Sequence, residues 1–168
     1  ANRDEGDIRP LGIEEIKDWS RRRSEQFPIV IEDLMPLARR RWNYGIYRDT
    51  YFSVHPVRSD EEITEKYGDR YYRQLGAATG TAKITNVREA LYLPAVYYVD
   101  DVEMRITGLE VRQIVSFEGI FSDVFENGER VEFKGILERV TDDEEQYRVV
   151  VGGSGLSDGY LKLSGQGD

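Results

Sequence analysis

Apolar positions change their spacing along the chain, and the change divides it. Ile13, Ile16 and Trp19 recur at helical spacing, with Glu14 and Glu15 early and Arg21-Arg22-Arg23 late, an order that complements a helix dipole. Pro28 ends that pattern. Leu34, Leu37, Ala38 and Trp42 share one face of a second short helix, with Pro36 in its first turn and Gly45 at its end. Ile46–Val57 then alternates as a strand rich in β-branched and aromatic residues, and Asp60–Tyr72 reads as a charged connector with one or two helical turns.

From Ala77 the period is two. Thr79–Val87, Ala90–Val99 and Glu110–Phe117 alternate, and Asn127-Gly128 is a hairpin-turn signal followed by Val131 and Phe133 alternating with Glu132 and Lys134. Gly135 interrupts a strand that runs on to Val140, as a bend or bulge would. An acidic tip over Thr141–Gln146, a strand at Tyr147–Val151, the pair Gly152-Gly153 and a last strand at Leu161 and Leu163 close the pattern. The expected fold class is α+β: a flexible lead-in over 1–10, a helical and strand segment over 11–74, and a five- to six-stranded OB-like β-barrel over 76–164. Closing a sheet of this size removes the edges that a lone β domain must protect.

Composition narrows the chemistry. The chain has 168 residues, no cysteine and one histidine, His55, which excludes disulfides, thiolate sites and zinc sites built from several imidazoles. No apolar run approaches the ~18 residues of a membrane-spanning helix, and no signal peptide opens the chain, so a soluble cytoplasmic protein is expected. A start at Ala1 fits either processing or excision from a longer polypeptide. The net charge is −9, unevenly placed: residues 1–75 hold 14 Lys/Arg against 15 Asp/Glu, and residues 76–168 hold 9 against 17. A polyanion should therefore meet the first part of the chain.

The candidate phosphate or nucleic-acid site is Arg39, Arg40 and Arg41 with Asn43, Tyr47, Arg48 and Arg58. Arginine forks match phosphate oxygens, and Trp42, Tyr44 or Tyr47 could stack on bases. Consecutive arginines fan around a helix, so at most two can face one ligand. The same residues also read as a solvated helix end whose arginines favour the dipole or pair with Glu32 and Asp33. Asp101 and Glu103, beside Asp100, are a weak candidate for a divalent cation, set against a plain polar turn between strands. Asp142-Asp143-Glu144-Glu145 reads as a solvated tip, and Gly152-Gly153-Ser154-Gly155 as a turn lacking the residues of a phosphate loop. His55 has no nucleophile partner in sequence and reads as structural. Tyr71, Tyr72, Tyr92, Tyr97 and Tyr98 could form stacking platforms or half-buried strand positions.

The run Ala38-Arg39-Arg40-Arg41-Trp42-Asn43-Tyr44-Gly45-Ile46-Tyr47-Arg48-Asp49-Thr50-Tyr51-Phe52, closing on Val57-Arg58, resembles a stretch of the predicted archaeal nucleotidyltransferases of the DNA-polymerase-beta superfamily. The later blocks LGAATGTAKIT, LPAVYYVDD, IVSFEGIFSD, GERVEFKGILERV, YRVVVGG and DGYLKL follow in matching order, so that the resemblance covers most of residues 34–163. It implies two metal ions, held by carboxylates one residue apart behind an early Gly-Ser turn, that clamp a nucleoside triphosphate. This chain has no Gly-Ser followed by Asp-x-Asp, and the strand Tyr51-Phe52-Ser53-Val54 carries Ser53 where a third carboxylate would stand.

The expectation is therefore an accessory C-terminal region of a nucleotidyltransferase, without catalytic residues or cofactor of its own. It would position RNA, tRNA or a nucleotide for an upstream domain, to which Mg²⁺ and nucleoside triphosphate would belong. The alternative is an acidic β-barrel that docks protein, on its own catalytic domain or on a partner, and has no nucleic-acid role. A hydrolase or metal site at Asp100, Asp101 and Glu103 with His55 is a third reading.

Overall fold

The computed structural model describes residues 40, 44–47, 50–53, 56–63, 68–105, 108–142, 144–153 and 158–165, with the backbone alone for the two short strands before residue 54. The expected lead-in, both expected helices, Arg21–Arg23, His55 and the Ser154-Gly155 end of the glycine run lie outside the described residues, apart from Arg40.

The single strand expected over Ile46–Val57 is two: β1 (Tyr44–Tyr47) and β2 (Thr50–Ser53) pair antiparallel, Tyr47 opposite Thr50. In the sequence the polar Arg48-Asp49 interrupts the alternation between the two strands. In the connector, the expected helical turn is a short 3₁₀ turn, Asp60–Glu62, capped by Ser59, whose N–H donates to Glu62 Oε2 at 2.8 Å.

The rest of the described chain is nearly all strand: β3 (Tyr71–Asn86), β4 (Ala95–Met104), β5 (Val111–Ser116), β6 (Arg130–Thr141), β7 (Glu145–Val151) and β8 (Tyr160–Leu163). Their pairing runs β3-β4-β5-β7-β6, and β6 pairs back onto β3, so that five strands form a closed cycle with β8 added beside the first half of β6. Every pairing is antiparallel except β5 with β7. Alternation places Ala82 and Ile84 of β3, Ala95, Tyr97 and Val99 of β4, and Val131, Phe133 and Leu137 of β6 inside the ring. Phe121 and Phe125 enter the same core from the connector between β5 and β6.

Three expectations change. β3 begins at Tyr71, inside what read as the end of a charged connector, because Tyr71–Arg73 pair with Arg139–Thr141 of a β6 that extends past the core. The strand expected from Ala90 begins at Ala95, after a run of turns over 88–94, and it continues through Asp100–Glu103, which read as a turn between strands. A bulge accommodates the acids there: Asp101 takes a left-handed φ of 46°, and the register with β3 slips between Thr81 and Lys83. Gly135 is no bulge, since its pairing with Ala78 is regular; a Cβ there would meet the backbone carbonyl of Val150 and, at 2.7 Å, Cγ1 of Val149. The glycine supplies room rather than a bend.

Candidate functional site

Asn127-Gly128 forms a turn, but it leads the β5–β6 connector into β6 and does not join two paired strands. Gly128 has φ +89°, which glycine adopts freely. Its N–H donates to Ile84 O at 2.7 Å and Ile84 N–H donates to Glu129 O at 2.8 Å, so the turn is tied to the end of β3. Within it, Glu126 N–H donates to Glu129 Oε2 at 2.8 Å. The backbone thus aims the Glu129 carboxylate before any side chain reaches it.

Arg40 reaches it. Its Nη1 and Nη2 donate to Glu129 Oε2 and Oε1, both at 2.8 Å, and Nη1 also donates to Val124 O at 3.2 Å. This two-pronged geometry is the strong form of an arginine–carboxylate bond. Burial pushes the Glu129 carboxyl up, but the Arg40 fork and the Glu126 N–H outweigh it and hold the carboxyl below its usual range. The hydrogen bond from Glu129 raises Arg40 in turn.

Arg58 docks beside it, on the loop between β3 and β4. Its guanidinium pairs with Glu89 and lies over the Tyr92 ring at 4.6 Å. This loop and the β5–β6 connector are joined at Ala90, whose carbonyl accepts from Asp123 N–H at 3.0 Å and Ser122 Oγ at 3.1 Å. Two arginines ahead of the ring therefore land on adjoining loops at one end of it.

Of the sequence candidates, Arg40 and Arg58 are brought to this end, each onto a carboxylate. Tyr47 lies in β1, described by its backbone alone, and Arg39, Arg41, Asn43 and Arg48 lie outside the described residues. Glu32 and Asp33, offered as partners for the arginines, lie outside them too. The partners found for Arg40 and Arg58, Glu129 and Glu89, were missed; the signal available for Glu129 was an Asn-Gly turn flanked by Glu126 and Glu129.

Elsewhere arginines pair with several of the acids that the sequence singles out. Arg130 pairs with Asp101 and, at 3.6 Å, with Glu103. Among the described residues no group of three or more His, Asp or Glu is placed to hold a metal ion. At the acidic tip Asp142 accepts from Arg70 at 3.1 Å, and Glu145 accepts from Arg139 at 3.3 Å. Tyr97 is a core residue, its hydroxyl donating to Phe121 O at 2.6 Å, whereas Tyr71 is 74% exposed. No helix among the described residues is long and apolar enough to cross a membrane.

A closed five-strand ring with arginine-filled acidic loops defines a β-rich protein in which charged side chains join neighbouring segments. The chain is similar to an uncharacterized protein of Methanocaldococcus jannaschii, 32% identical over 147 residues that make up 86% of this chain and 42% of that protein. The chain thus spans less than half the length of this curated relative. No protein-family model matches, and no solved structure matches.

Proposed function

We propose that the chain is a docking module: the ring is an OB-like β-barrel whose acidic loop end holds arginine-bearing polypeptide, in the first place the segment that precedes it. The observation that carries this is the Arg40 fork on Glu129. An arginine that gives both terminal nitrogens to a carboxylate fixed by its own turn has no fork left for a phosphate. The Arg58–Glu89 pair and the net acidity of residues 76–168 support the same reading. A like-charged surface raises the cost of approaching nucleic acid and lowers that of approaching a basic protein surface. The cyclic order of pairing, five strands with one parallel neighbour, supports the barrel. In a longer polypeptide the module would hold an upstream domain in place without catalysing a reaction itself. On the family resemblance that domain would be a nucleotidyltransferase, and Mg²⁺ and nucleoside triphosphate would be its ligands.

A second reading, placement of RNA or tRNA for such a domain by Arg39, Arg41, Asn43, Tyr47 and Arg48, is favoured by the order of strand pairing, because OB barrels often carry oligonucleotides. Fluorescence anisotropy with labelled single-stranded RNA and tRNA at two salt concentrations separates the two. Docking predicts no salt-sensitive binding, and a lower unfolding temperature for the Arg39→Ala/Arg40→Ala/Arg41→Ala variant. Salt-sensitive binding that this variant loses would overturn the docking reading.

A further inference from the structure

We propose that the open edge of β3, from Tyr71 to Thr79, takes up an extended acidic peptide as an added strand. β3 pairs with β6 from Tyr71 to Lys83 but with β4 only from Gly80 to Asn86. On the side away from β6, the first part of β3 therefore has no strand partner among the described residues. Residues 71–77 are all exposed. Such an edge offers a row of main-chain donors and acceptors, the template used in strand addition.

Two features make the edge selective. A pocket of about 320 Å³ lies where β4 leaves β3, lined by Ala77, Ala78, Thr79, Met104 and Arg105. It occupies the lane β4 would follow if it continued past Met104, so one side chain of an added strand would enter it. The second feature is charge. Arg73 and Arg105 are exposed and form no ion pair among the described residues, whereas Arg139 and Arg148 close by are committed to Glu145 and Glu138. Two uncommitted arginines at one open edge offer carboxylates a local partner, which acts at contact range against the chain's net charge of −9. The register slip between Gln74 and Gly76 bends the edge, so pairing is strongest over Ala77–Thr79, beside the pocket. This lies away from the Arg40 site, at the other end of β3, and does not depend on it.

The test uses the full chain and two fluorescein-labelled peptides, one alternating valine and glutamate, the other valine and lysine. The expected result is saturable binding of the glutamate peptide, at least tenfold tighter than the lysine peptide, with at least tenfold slower hydrogen exchange at outward-facing amides between Tyr71 and Thr79. Arg73→Glu/Arg105→Glu should weaken binding tenfold or more while leaving the circular dichroism spectrum unchanged. Unchanged exchange at saturating peptide, equal affinity for both peptides, or full binding by the variant would overturn the proposal. So would protection of the same amides by single-stranded RNA or by self-association in place of the peptide.

Discussion

Arg148 stands directly opposite Glu138 on β7 and β6, and its Nε and Nη2 both donate to Glu138 Oε2, at 3.0 and 2.8 Å. The Tyr72 ring of β3 covers the guanidinium at 4.1 Å. Glu138 is 8% exposed, so this stack joins three strands through a nearly dry ion pair, past the end of the apolar core. Removing one partner leaves the other charge largely buried and unmatched. Glu138→Ala is expected to cost about 2–3 kcal/mol in urea unfolding, and Glu138→Met/Arg148→Met much less than either single change.

Gly135→Ala places a methyl group against the carbonyl of Val150, on a neighbouring strand that cannot turn aside. The expected loss is about 3 kcal/mol, the upper end for overpacking, read as a lower melting temperature. Gly128→Ala, at a position with nothing near its would-be Cβ, tests φ alone, and a smaller loss of about 1 kcal/mol is expected.

The Tyr97 hydroxyl donates to Phe121 O and accepts from Val124 N–H at 3.2 Å, binding the connector to the core. Tyr97→Phe leaves both backbone groups unmatched, for an expected cost of about 1–3 kcal/mol. Burial pushes the phenol well above its ordinary range. The folded state therefore keeps a proton that the unfolded state releases above about pH 10. Stability should be complete below that pH and fall by up to about 1.4 kcal/mol per pH unit above it, with the slope reduced in Tyr97→Phe.

Glu129 has the opposite sign. Its folded carboxyl lies below the usual range, so its contribution is present above the unfolded value near pH 4 and is lost as pH falls through the folded one. An acid titration followed by tryptophan fluorescence should show a transition in this window that Glu129→Gln removes.

The sequence made β6 legible because more and less buried positions alternate along nearly all of it, and β7 because its apolar end Val149–Val151 runs into the turn residues Gly152-Gly153. It hid the start of β3 because Tyr71–Gln74 sit outside the core, where alternation carries no signal. It hid the continuation of β4 because a left-handed Asp101 lets an acidic run stay in a strand. The arginines were readable as a cluster from Arg39 to Arg58, but Glu129 and Glu89 are far from it in sequence and are brought to it only by folding. Local pattern shows which side chains carry charge; it does not show which opposite charge the topology delivers.

The most direct measurement of the docking claim is a double-mutant cycle on Arg40→Ala and Glu129→Ala, each variant unfolded in urea. With side chains 31% and 23% exposed, the pair falls between surface and buried cases, and a coupling of about 1–2 kcal/mol is expected. Additivity within about 0.3–0.5 kcal/mol would contradict the account, since it would leave Arg40 uncommitted to the ring and available to another ligand.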